Sequence, residues 1–247
     1  MHNVSKSIKI FVGMVILLAI LASVNVFLPQ GDFAPTEEIP VSKPMLVLIN
    51  FITVIVLYGG LGLLGIKLSQ KLDIADIWDD TVTNRQRFLY PFIIGLISGA
   101  LLVASDLIFA RIHDLGQLPH PPFPTSLLAS LVAGIGEEII FRLFFISFWV
   151  WLFSKVFFKG KYEKIIFGII IIISAIAFAL AHMPSAMILF GFESMGDIPG
   201  ILITEMLVLN GIVSVLAAFY FRKYGFLAAV GIHFWTDIVW HVLWGLV

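Results

Sequence analysis

The chain has 247 residues, of which 60% are hydrophobic and only 13% charged, with a formal net charge of −1 and a mean hydropathy of +1.05. Soluble domains carry about 25% charged residues, so this composition points to an integral membrane protein. The charge balance gives no nucleic-acid signature, and the lack of any cysteine excludes disulfides, thiolate metal sites and a cysteine nucleophile.

In chain order, seven apolar segments are long enough to cross a bilayer: roughly 8–28, 45–66, 88–110, 125–154, 164–190, 199–221 and 225–246. The first follows Lys6 and Lys9 in the manner of a secretory signal. It is longer than a signal's apolar core, however, and no small-x-small cleavage site follows, so it reads as a retained span. Residues 67–87, "KLSQKLDIADIWDDTVTNRQR", are too polar to cross and read as a surface loop with a short helix. The fourth and fifth segments exceed the length needed, which predicts tilt or projection beyond the bilayer. Pro184 should kink or end the fifth. "GQLPHPPFP" and "GFESMGDIPG" read as turn-rich linkers.

Basic residues support this count. With a cytoplasmic N-terminus, the inner loops hold twelve Lys and Arg, the outer loops hold only Lys43 and Arg111, and Arg142 lies inside a span. That bias predicts seven spans in a cell membrane, with the N-terminus cytoplasmic and the C-terminus outside. The motif-free helices of residues 1–123 and the helices of residues 124–247 form one continuous membrane domain.

Charged residues inside the spans carry the functional signal, since each costs roughly 2.5–3.5 kcal/mol at a bilayer centre. "GIGEEIIFRLFF" places Glu137, Glu138 and Arg142 within six residues. Glu138 and Arg142, four apart, share a helix face and can neutralise each other. Glu137 is left over and points elsewhere, as a general base in a low-dielectric site must. A polar clamp that uses all three charges is the structural alternative. On the fifth span, "FALAH" puts His182 one turn after Phe178, and on the seventh "HFWTD" puts His233 one turn before Asp237. Counted from the inner charges at about 1.5 Å per residue, Glu137 and His182 both lie about 27 Å deep, with Asp237 about one turn away. Three helices thus bring their polar residues to neighbouring levels.

These motifs, E-E-x-x-x-R, F-x-x-x-H and H-x-x-x-[ND] in that order, resemble the CAAX protease and bacteriocin-processing family of intramembrane glutamate endopeptidases. They span residues 137 to 237, about the C-terminal half. The resemblance implies that Glu137 and His182 activate a water and that His233 and Asp237 support the oxyanion. It further implies a membrane-associated peptide or protein tail as substrate and no cofactor. Many relatives carry Asn at the last position; Asp237 is a departure, because an ionised aspartate accepts hydrogen bonds but does not donate them.

Other readings stay open at this stage. Ser98 and Gly99 read as a close helix contact rather than a rhomboid-like serine site. No HExxH is present, although Glu137, His182 and His233 form a conceivable His₂Glu zinc set. Asp197 lies in a loop without the full GxGD motif. Asp106 is expected to bond a Ser, a Thr or a backbone carbonyl, and Glu205, at a depth near Glu137, is a candidate for lining the site. A membrane immunity or transport protein using the same network is the non-enzymatic alternative.

Overall fold

In the computed structural model, residues 4–34 and 40–247 are described. They contain seven helices long and apolar enough to cross a membrane: α1 Lys6–Asn25, α2 Lys43–Ser69, α3 Arg85–Phe109, α4 Thr125–Phe157, α5 Glu163–Phe190, α6 Gly200–Tyr224 and α7 Phe226–Leu246. Among the described residues there is no β-strand. This is the all-α polytopic bundle that the apolar segments predict.

From α2 to α7 burial rises along the chain. Half of the apolar stretch of α7 is enclosed, against 17% for α2, whose Leu48, Ile52 and Val56 point outward. In a bilayer those outward side chains meet lipid, so they need no protein partner. Helix α7 packs against α3, α4 and α6 and so forms the centre of the bundle. Helix α1 buries Phe11, Val15 and Leu18 in the same apolar core as Ile135 and Ile139 of α4.

Two local features shape the site. Helix α5 breaks at Ala181 and His182, and a second helical stretch starts at Met183 with Pro184 in its first turn. Proline lacks an N–H and is tolerated in a first turn, where the N–H would have no helical partner, so the chain restarts there. Helices α4 and α7 widen into π-type turns over Ile139–Ile146 and Ile238–Leu243, immediately after Glu138 and Asp237. Such turns often occur where functional side chains are re-aimed.

Residues 70–84 differ from expectation. Up to Thr83 they hold no helix, and they are not a free surface loop. Ile74, Asp76 and Ile77 are buried, and the N–H groups of Asp73, Ala75 and Trp78 donate to the Glu163 carboxylate, the Arg222 carbonyl and the Ser7 hydroxyl. Trp78 lies under two cations, with Lys6 Nζ at 3.5 Å and the Arg87 guanidinium at 3.9 Å from its ring centre. The segment is a plug. Its polarity serves backbone and ion-pair contacts at one end of the bundle, where Lys155, Glu163 and Arg222 also meet.

Close packing of α3 on α7 depends on two glycines. A Cβ on Gly95 would lie 2.9 Å from the Ile232 carbonyl oxygen, and one on Gly99 would lie 2.9 Å from that of Thr236. Neither carbonyl can move without bending α7. Gly95→Ala and Gly99→Ala should each destabilise the detergent-solubilised protein by about 1–3 kcal/mol, the usual cost of overpacking. Gly168→Ala, which meets open space and gains helix propensity, should not lower the thermal midpoint. Equal midpoints for all three variants would contradict this packing.

Candidate active site

Helix α4 supplies Glu137 and Glu138, which as neighbours point about 100° apart. Glu138 turns inward and is fully buried. Its Oε2 lies 3.2 Å from Nε of Arg142, one turn later and also fully buried. Its Oε1 accepts a 2.9 Å hydrogen bond from Nδ1 of His233. Arg142 is thus the counter-charge for a carboxylate that also orients an imidazole on α7. The guanidinium stacks 4.7 Å above the Phe178 ring. That ring sits at the hub, with the ring centres of His182 at 4.9 Å and His233 at 5.6 Å.

Glu137 faces a cavity of about 340 Å³ that also meets His182, His233 and Asp237. Its Oε2 lies 3.9 Å from His182 Nε2 and 3.8 Å from His233 Nε2. His233 Nε2 lies 3.6 Å from Asp237 Oδ2. The break in α5 sets the tautomer of His182, because its Nδ1 donates to the Phe178 carbonyl at 2.8 Å. In the neutral ring that bond leaves Nε2 with its lone pair on the Glu137 side. Leu118, Pro119 and Pro121 of the linker before α4 close one end of the cavity.

All seven residues singled out in the sequence therefore meet around one cavity. Glu137, His182, His233 and Asp237 line it, and Glu138, Arg142 and Phe178 stand behind them. The distances also test the zinc set. Two ligands of a tetrahedral zinc lie about 3.3–3.5 Å apart, given bonds of 2.0–2.2 Å. The 3.8 and 3.9 Å separations are wider, and among the described residues no three His, Cys, Asp or Glu side chains are arranged to share a metal ion.

Two expectations change. Glu205 does not line the cavity. Its Oε2 meets Nε2 of His113 at 2.9 Å, in a separate cluster with Asp106. Asp106 accepts from the backbone N–H of Leu118 at 3.0 Å rather than bonding a hydroxyl or a carbonyl. The two acids thereby fasten the linker that closes the cavity. Sequence reasoning also missed His241, on the cavity wall, and His120, whose Nδ1 lies 3.3 Å from Nδ1 of His241. Burial lowers the pKa of His120 from the ordinary histidine value to about 4 and keeps it neutral. The run His233, Asp237, His241, at four-residue spacing, was the signal for His241.

A helical membrane bundle with a carboxylate and two imidazoles around a shared cavity defines a class: membrane-embedded proteins with the makings of acid–base hydrolysis. Residues 119–239 match the family model described as type II CAAX prenyl endopeptidase Rce1-like, in line with the resemblance that the motifs carry. The family implies a peptide hydrolase. No match was found among curated proteins or solved structures.

The Glu138 bridge gives a separable prediction. Arg142→Met leaves a buried carboxylate without its counter-charge and should cost about 3–5 kcal/mol of stability. Adding Glu138→Gln should restore most of that loss. Activity should stay low in the double variant, because a neutral amide holds His233 less firmly than a carboxylate. Full activity of the double variant would remove Glu138 from the orientation of His233.

Proposed function

We propose that the protein is an intramembrane glutamate endopeptidase that cleaves a membrane-associated peptide or protein tail. The observation that carries this reading is the placement of Glu137 Oε2 within 4 Å of Nε2 on both His182 and His233, in a cavity. A water between Glu137 and His182 donates one hydrogen to the carboxylate and the other to the bare Nε2. Its lone pairs are then free to attack a carbonyl. Glu137 takes the proton as the C–O bond forms and passes it to the leaving amine as the C–N bond breaks.

Charge developing on the carbonyl oxygen needs donors. With Nδ1 bound to Glu138, His233 donates from Nε2 as an imidazolium. Asp237, on the other side of Nε2, either orients that imidazolium or donates as the neutral acid. No nucleophilic side chain and no acyl-enzyme takes part. The distribution of basic residues supports an N-terminus in the cytoplasm. On that orientation the cavity closes under the linker on the outer side.

Glu137→Gln is the primary test. It preserves shape and hydrogen bonding but removes the base, so cleavage should fall to background while the protein still accumulates in the membrane. Comparing membrane peptides from cells with wild type and this variant would reveal the substrate. Identical peptide profiles would favour a structural or transport role for the network.

Asp237 allows a graded test. Asparagine can donate directly, so Asp237→Asn should retain substantial activity. Asp237→Leu removes donor and orienter together and should lower the rate by about 10²–10³, the typical cost of one oxyanion donor. Wild-type turnover by the Leu variant at equal membrane abundance would remove Asp237 from the mechanism.

A further inference from the structure

We infer that His120 and His241 form a binding site for a divalent transition-metal ion, with Zn²⁺ as the type case, beside the cavity that His241 lines and apart from the hydrolytic residues. Neither imidazole has a part in the proposed mechanism. They come from different elements: His120 from the linker before α4, and His241 from the last turns of α7. Their Nδ1 atoms nevertheless face each other at 3.3 Å.

Magnitude separates a metal site from a plain hydrogen bond. Protein N–H hydrogen bonds cluster near 2.9–3.0 Å, so 3.3 Å lies at the long edge of that range. Two imidazole nitrogens on one tetrahedral zinc, each at 2.0–2.1 Å, are separated by about 3.3–3.4 Å. The pair therefore already has the separation that two ligands of one ion require. The ring centres lie 5.4 Å apart with planes inclined by 79°, so the rings meet through their Nδ1 edges rather than face to face. Binding needs no net proton release. The neutral ring that carries its proton on Nδ1 moves it to Nε2, and both Nδ1 lone pairs then donate to the ion.

The frame around the pair is rigid. The His120 ring lies edge-on to Trp240, with ring centres 4.7 Å apart, and packs against Gly245, where a Cβ would lie 2.9 Å from the His120 Cβ. Side chains held in place lose little freedom on coordination. Two protein ligands leave two positions of a tetrahedral ion for water or another donor. His241 stands one turn beyond Asp237 on α7, so an ion there occupies space beside the reacting groups. Occupancy should therefore inhibit cleavage reversibly. That effect on turnover rests on the hydrolase reading, whereas the binding does not.

The test uses purified full-length protein in detergent, titrated with Co²⁺ and followed by its visible d–d absorption, with Zn²⁺ as competitor. Wild type should bind one equivalent with a four-coordinate spectrum. His120→Gln and His241→Gln should each weaken binding at least tenfold while eluting and melting as wild type does. His120→Asn serves if His120→Gln does not fold. Glu137→Gln and His182→Gln should bind as wild type does. Where cleavage can be followed, Zn²⁺ should inhibit wild type and a chelator should reverse it, with inhibition lost in the His241 variant. Absence of stoichiometric binding, or binding that survives loss of either His120 or His241, would overturn the inference and leave the hydrolase reading intact. Binding lost instead in Glu137→Gln would overturn both, because the ion would then sit on the proposed base.

Discussion

The bridge from Arg142 through Glu138 to His233 is the interaction on which the rest of the site depends. Three ionisable groups are withdrawn from solvent, and none would be tolerated there alone. Removing one member of such a set leaves a charge in low dielectric, which is far more costly than the small net stabilisation that the intact set provides. The bridge also joins two helices. It fixes the rotation of α4 about its axis, which turns Glu137 towards the cavity, and it fixes the imidazole of α7 from behind. Because Nδ1 of His233 is already engaged, Nε2 is the nitrogen left for chemistry. The arrangement of side chains around the cavity here follows from charge neutralisation.

Backbone irregularity complements that ionic bridge. A helix that continued unbroken through Ala181 would give the Phe178 carbonyl to an N–H four residues on. The break frees that carbonyl to hold His182 instead. Irregular backbone at membrane depth is found where it lines a cavity, because an unsatisfied N–H or C=O facing lipid costs several kcal/mol. The widened turns after Glu138 and Asp237 fall on the same layer. Three helices thus depart from ideal geometry at the level where their polar side chains converge.

Much of this architecture is legible in the sequence, for identifiable reasons. Spans can be counted because lipid demands about twenty apolar residues for each crossing. The alternation of Lys and Arg between loops then checks the count. Glu137 separates from Glu138 because helical geometry pairs only the latter with Arg142, and His182 joins them through depth and a family motif. What stays hidden depends on partners distant in sequence. Nothing local reveals that His233 bonds to Glu138 or that Glu205 meets His113 rather than the cavity. The plug of residues 70–84 escapes notice for a related reason. Its charged composition reads as solvated, whereas its N–H groups are satisfied by Glu163, Arg222 and Ser7, each from another part of the chain.

The length of α4 has a consequence for the supply of water. At about 1.5 Å per residue its 33 residues extend about 50 Å, well beyond a hydrocarbon core of about 30 Å. Glu137 is about 18 Å from the Thr125 end of that helix and about 30 Å from the Phe157 end. The longer route runs through the buried apolar core and ends beneath the plug. The shorter runs along the cavity to the proline-rich linker. Each turnover consumes one water, and the nearer end is its practical source. Solvent should therefore reach the carboxylate from one face of the membrane, while the opposite face stays sealed against leakage of ions.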